Sequence, residues 1–278
     1  MLKLSNGQLL VTGNDIFAID DNGQVKFIID NFSEVIWTFQ LSNNDLLIVG
    51  LEDQKLFSES GDYLRDLHID IRPYEKVFSL GNDRFISTSD HKAFTIDGII
   101  AEHLMGDRFL SLDDGLVAGH DKGTMTIYSR DLKPMYEMQS FIDENLISLF
   151  SYKDEIVSVS PSHMIKWRFK YDYMMIYDLD YAKYALRLNN GDVLIQEFDK
   201  ISIYGNKTIS KDDKPSRQAI QLNDGNICTL GDDITIYDQR LNILKVYNVG
   251  TAYFMGQFSN GKVLLYMGED QVKIISLY

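Results

Sequence analysis

The chain has one cysteine, Cys228, set in the apolar run Asn226-Ile-Cys-Thr-Leu230. A single thiol excludes an internal disulfide and any multi-cysteine zinc site, and its neighbours predict a buried, inert side chain. Prolines number four in 278 residues. Apolar runs are short as well: nowhere do about 18 apolar residues follow one another, so no membrane-spanning helix is expected. The start, Met1-Leu-Lys-Leu-Ser-Asn-Gly-Gln8, turns polar after four residues and lacks the apolar core of a secretory signal, which leads us to expect a cytoplasmic protein. Positive charge is scarce too, 27 Lys and Arg against 41 Asp and Glu, for a formal net charge of −14. Such a chain repels phosphate backbones and anionic membranes and attracts basic peptides or cations. We therefore expect a protein or peptide partner, a basic one fitting best, and no nucleic acid and no membrane. No phosphate loop, nucleophile elbow or zincin helix is present, so no cofactor and no catalytic residue is assigned.

Hydrophobic residues make up 45% of the chain and aromatics 12%, enough for a packed core built from short strands. A repeat organises them. A short segment ending in an aromatic and a small or polar residue recurs as Ile16-Phe17-Ala18, Leu56-Phe57-Ser58, Ala93-Phe94-Thr95, Ile127-Tyr128-Ser129, Lys166-Trp167-Arg168, Ile203-Tyr204-Gly205 and Ile236-Tyr237-Asp238. An eighth copy, Ile274-Ile275-Ser276, has Ile in the aromatic place. The spacings of 40, 37, 34, 39, 37, 33 and 38 residues fit four short strands and their turns. Each segment follows a turn signal and an apolar run, such as Asn6-Gly7 before Gln8-Leu-Leu-Val11 or Asp224-Gly225 before Asn226-Ile-Cys228. Asn-Gly and Asp-Gly between such runs predict tight hairpins whose two central residues both take positive φ.

These units predict an all-β fold, a closed β-propeller of about eight four-stranded blades in one domain spanning 1–278. Their approximate limits are 1–31, 32–72, 73–104, 105–141, 142–180, 181–215, 216–250 and 251–278. Eight copies of the third strand favour eight blades over seven, and the short final unit predicts a three-stranded last blade. Unit six has the polar stretch 206–215 where its fourth strand belongs, so that stretch is expected to loop out.

Unit four, Gly115-Leu-Val-Ala-Gly-His-Asp-Lys-Gly-Thr-Met-Thr-Ile-Tyr-Ser129, resembles the second and third strands of a WD40 repeat, as does Gly231-Asp-Asp-Ile-Thr-Ile-Tyr-Asp238. The upstream histidine of that pattern has counterparts only in His68 and His103. The resemblance spans nearly the whole chain in period and strand order, with degenerate signature residues. It implies a propeller that serves as a non-catalytic, protein-interacting scaffold; fold alone does not prove function.

Three groups of residues are candidates for a site. Acidic residues recur between the second and third strands, at Asp15, Asp53, Asp90, Asp121, Asp199, Asp232 and Asp270, with Glu52 and Glu269 beside two of them. They serve either to close their own turns through backbone hydrogen bonds or as an acidic collar for a basic peptide or cation. His91, His120 and His163 fall on neighbouring units and are candidate metal ligands, for an enzyme or small-ligand binder working at the channel mouth, although ligands must converge to about 2.0–2.2 Å from the ion. The basic and aromatic run from Lys166, Trp167 and Arg168 through Tyr171 and Tyr173 reads either as ordinary strand packing with Trp167 inward or as a binding edge, since Tyr, Trp, Met and Arg are enriched in interfaces. A third role, as structural subunit of a larger assembly, is also compatible with the sequence.

Overall fold

The computed structural model describes residues 1–278 except 14, 31, 33, 71–75, 89, 90, 215, 269, 270 and 278. Thirty-one strands form eight antiparallel sheets whose strands follow one another in sequence order, which we label a to d. Sheets 1 to 8 span residues 2–29, 35–66, 77–101, 108–139, 148–178, 184–212, 218–247 and 254–275. Sheets 1 to 7 have four strands and sheet 8 has three. The fold is thus an all-β propeller of eight sheets with a three-stranded last blade, as the repeat predicts. Two short 3-10 turns, Asp113–Gly115 and Phe169–Tyr171, are the helical elements among the described residues, and no helix there is long and apolar enough to cross a membrane.

The chain forms two compact units, one of residues 1–65 and 186–278, the other of 66–185. Within the first, no sheet buries its faces alone. Leu10, Ile16 and Ala18 of sheet 1 pack against Leu46, Ile48 and Phe57 of sheet 2. Leu9, Val11, Phe17 and Ile19 use the other face of sheet 1 to cover Phe258 and Leu264 of sheet 8, and sheet 8 in turn meets sheet 7 through Leu265, Met255, Cys228 and Ile236. The second unit repeats the arrangement, with Ile86 and Ala93 against Val117 and Tyr128, then Ala118 and Met125 against Ile165 and Trp167. Alternation along each strand sends successive side chains to opposite faces, which is why an apolar run such as Leu46–Gly50 is buried throughout. Truncating one of these, Ile48→Ala for example, costs about 2–5 kcal/mol because the neighbouring sheet cannot collapse into the gap.

The repeated aromatic occupies strand c in every full sheet and is buried in each: Phe17, Phe57, Phe94, Tyr128, Trp167, Tyr204 and Tyr237. The polar residue after it has its own task. In sheet 7, Asp238 accepts the N–H groups of Arg240 and Asn242, both at 2.8 Å, and closes the turn into strand d; Ser129 does the same for Lys133 N–H at 3.1 Å.

Two expectations fail. The a–b turns with Gly are not two-residue turns with both centres at positive φ. In Leu4–Gln8 only Gly7 has positive φ, at 84°, and Leu4 N–H reaches Gln8 O at 2.9 Å while Asn6 Oδ1 accepts Gln8 N–H at 3.0 Å. The side-chain acceptor supplies what a second left-handed residue would otherwise have to provide; the a–b turn of sheet 3 has positive φ at both central residues, Asn82 at 52° and Asp83 at 57°, and at Gly81 before them, at 74°. Nor does the stretch 206–215 loop out: Ile209–Asp212 pairs with strand c of sheet 6, and Ser202 and Ser210 hydroxyls meet at 2.9 Å. A strand d faces solvent on its outer side, so polar residues are tolerated there.

Candidate functional site

In the second unit the three histidines have separate environments. His91, at φ 51°, places Nδ1 2.9 Å from Leu104 O. His120 is buried on strand b of sheet 4, its Nδ1 3.5 Å from Asp107 Oδ1 and its ring edge-on to Trp167 at 6.3 Å. His163 starts strand c of sheet 5, with Nδ1 3.2 Å from Glu144 Oε1 and Nε2 3.7 Å from Asp178 Oδ1. The structure does not bring the three together, and among the described residues no three His, Cys, Asp or Glu side chains are grouped to hold a metal ion. Glu144 is better read as a loop clamp. It accepts from Ser160 Oγ, from Ser162 N–H at 3.2 Å and from His163; burial raises its pKa, but these three outweigh burial and hold it below the ordinary carboxylate value.

The basic run of sheet 5 divides by strand alternation. Trp167 points inward, fully buried, and donates Nε1–H to Ser158 Oγ at 2.7 Å. Lys166 and Arg168 point to the other face, where Glu155 lies 3.9 Å from Lys166 Nζ and 3.1 Å from Arg168 Nε, while Lys170 pairs with Asp154 at 2.8 Å. The positive charge seen in the sequence is thus largely balanced by the preceding strand. Tyr171 and Tyr173 are exposed, with Met135 on strand d of sheet 4 and Ile176 on strand d of sheet 5.

The acidic turns are likewise local. Gly50 N–H bonds Asp53 O and Glu197 N–H bonds Lys200 O, so main-chain bonds close these turns. Asp53 lies 3.4 Å from Lys55, Asp121 is half-buried at the end of strand b of sheet 4, and Asp199 and Asp232 are exposed, the latter 4.0 Å from Arg217. Asp90, Asp270 and Glu269 lie outside the described residues. His68 and His103, the counterparts of the WD40 histidine, are both exposed.

What the sequence reading missed is a set of glutamine clamps between sheets of the first unit. Gln40, Gln221 and Gln257 each end a strand a. Gln40 Oε1 accepts Ser5 N–H from sheet 1 at 2.7 Å, Gln221 accepts Asn189 N–H from sheet 6 at 2.7 Å, and Gln257 accepts Asn223 N–H from sheet 7 at 2.8 Å. Their Nε2 groups donate back to the turn of their own sheet, Gln221 to Gly225 O and Gln257 to Gly261 O at 3.0 Å. The signal was present: each glutamine stands three residues before the Asn or Asp of its turn.

The surface as a whole is marked by its outer strands. Strands d expose Val25 and Ile28, Tyr63 and Leu64, Ile99 and Ile100, and Ile243, Leu244 and Val246.

No family model matches the chain, and no curated protein does. Solved structures do. BamB from Moraxella catarrhalis aligns over 99% of this chain and 95% of its own, with a TM-score of 0.74 at 9% identity. The computationally designed protein Ika8 aligns over 98% and 97%, with a TM-score of 0.66 at 13% identity, and a eukaryotic initiation factor over 97% and 93%, with a TM-score of 0.60 at 11% identity. At such identities the likeness is one of fold, and that fold is the eight-bladed β-propeller.

Proposed function

We propose that this protein is a non-catalytic interaction platform of WD40-like type, a propeller that offers its surfaces to partner proteins in the cytoplasm. The observation that carries the reading is the concentration of exposed apolar and aromatic side chains on the outer strands, from Val25 and Ile28 to Ile243, Leu244 and Val246. Isolated exposed apolar residues are ordinary, but rows of them on solvent-facing strands mark interaction surfaces. The half-exposed Tyr173 and Ile176 of sheet 5 are part of the same pattern. The net charge of −14 supports a partner that is basic over its long-range field.

The test is affinity purification from the native host with mass spectrometry, run on the natural chain and on two variants: Tyr173→Asp with Ile176→Asp, and Lys166→Glu with Arg168→Glu. A stoichiometric partner held by the natural chain and lost from one variant supports the platform. Retention by both variants removes sheet 5 from the interface. A stoichiometric metal ion or substrate turnover, with no partner captured, overturns the reading in favour of an enzyme.

A further inference from the structure

Three consecutive sheets of the second unit carry an exposed ring at one and the same place. Strands b and d of an antiparallel sheet run the same way, so the turn from b to c and the connection leaving d share one face. Main-chain bonds strap each connection to that turn: Leu104 N–H donates to His91 O at 3.0 Å, Ser140 N–H to Gly123 O at 2.9 Å, and Ala182 N–H to Pro161 O at 2.7 Å. Next to each strapped residue stands one with a left-handed backbone and an exposed ring, His103 at φ 64°, Phe141 at 62° and Tyr181 at 55°. In the connection after sheet 7 the left-handed residue is Gly250, at 76°, the type that takes this conformation without strain. Histidine is found there at times; for Phe and Tyr it is an outlier. Leu132 and Leu241 are left-handed too, at 60° and 61°, but both are buried and packing offsets their strain. Phe141 is 89% exposed and Tyr181 64%, so packing offsets little of theirs. Strained residues whose side chains add little to the fold point to a task outside it.

We propose that Phe141 and Tyr181, in the connections leaving the neighbouring sheets 4 and 5, hold an extended, arginine-bearing segment of a partner protein, one guanidinium lying on each ring. Phe141 is presented rigidly. The buried Ser140 beside it donates Oγ–H to Gly123 O at 3.1 Å and accepts Ile142 N–H at 3.3 Å, and a Cβ at Gly123 would run into Ile142 O. A ring fixed in this way loses little freedom when a partner covers it. Charge selects the occupant. Among the described residues of these turns, connections and strand ends, the exposed acids are Glu102, Asp143, Asp178 and Asp180, against the exposed lysines Lys122 and Lys183. Asp143 follows Phe141 by two residues and Asp178 precedes Tyr181 by three. A guanidinium stacks flat on an aromatic ring while its N–H groups reach a neighbouring carboxylate; an ammonium is a compact point charge and does not stack. Adjacent sheets pack about 10 Å apart, so six extended residues, about 20 Å, reach both rings. The inference rests on the platform reading and gives its basic partner a place.

The probe is a capped hexapeptide of alternating arginine and glycine, titrated into the full chain and followed by calorimetry and by the aromatic resonances of Phe141 and Tyr181. The expected result is saturable binding with shifts at both rings. Phe141→Ala with Tyr181→Ala should weaken it on the order of tenfold, and the same peptide with lysine for arginine should bind the natural chain less well. Phe141→Gly tests the strain separately. It should also bind less well, yet unfold at no lower urea concentration than the natural chain, because glycine accepts the left-handed backbone. A lowered midpoint would give the ring a structural task and overturn the proposal. So would shifts absent from both rings, or an affinity unchanged by the double alanine variant, the mark of attraction by net charge alone. Were the native-host partner retained by a double alanine variant that no longer takes up the peptide, this place would be refuted and the platform would stand.

Discussion

Gln257→Ala removes one side chain that bonds two main-chain groups on different sheets. Its Oε1 accepts Asn223 N–H at 2.8 Å and its Nε2 donates to Gly261 O at 3.0 Å. A hydrogen bond of this kind is worth about 0.5–1.5 kcal/mol net, so the pair is worth about 1–3 kcal/mol. The side chain is half-buried, and water can replace part of what is lost. We therefore expect a loss near the middle of that range, about 2 kcal/mol, and for a chain of this size a fall in Tm of about 3–4 °C. Equilibrium urea unfolding followed by tryptophan fluorescence measures it, with the slope m unchanged because the surface exposed is the same. Gln257→Glu separates the two bonds: it keeps the acceptor for Asn223 and replaces the donor to Gly261 with a carboxylate facing a carbonyl, so it should cost as much as the alanine variant or nearly so. Gln221 donates to Gly225 O of the very turn whose Asn223 N–H meets Gln257. The double variant should accordingly deviate from additivity by more than about 0.5 kcal/mol, the limit for independent sites. A Gln257→Ala midpoint within error of Ser259→Ala, an exposed neighbour, would refute the clamp.

The remaining predictions concern titration and reactivity. Cys228 is buried and its thiol is pushed up to about 12 by desolvation; a thiol reagent at pH 8 should leave it unmodified in the folded chain and label it fully in urea. Glu144 is held below its ordinary pKa, so the stability it contributes is complete above the ordinary carboxylate value and is lost as the pH falls through its depressed one. Glu144→Gln should therefore flatten the decline of the urea midpoint on acidification below about pH 4.5. Tyr204 is raised from 10.0 to about 12, chiefly by burial and then by the nearby Glu197. The sign is opposite: its share of stability is intact below pH 10 and is lost as the pH climbs towards 12, and Tyr204→Phe should flatten the midpoint over that interval.

The repeat was legible because it obeys local rules. The aromatic of strand c, the apolar run of strand b and the turn between strands a and b are each fixed by neighbours within a few residues, and all eight units follow from them. Trp167 could be placed inward from alternation alone. The strand d of sheet 6 was misread because its exterior position relaxes composition, and Ser210 reads as loop until Ser202 is known to stand across from it. The glutamine clamps were legible only in part: the place of each glutamine three residues before its turn can be read, but Gln257 and Asn223 are 34 residues apart, and only the register of two sheets makes them partners. Composition misled at Lys166 and Arg168, since the charge that balances them, Glu155, lies on the neighbouring strand and not in the run itself.

Hydrogen exchange of backbone amides puts the eight-sheet arrangement to its most direct test. Strand b of each sheet, Leu46–Gly50 and Ile227–Leu230 among them, lies between two strands, while a strand d such as Ile243–Tyr247 lies at the outer side of its sheet. Under native conditions the amides of strand b should be the slowest to exchange in all eight sheets and those of strand d markedly faster. A sheet whose strand b exchanges as fast as the outer strands would contradict the eight-sheet propeller.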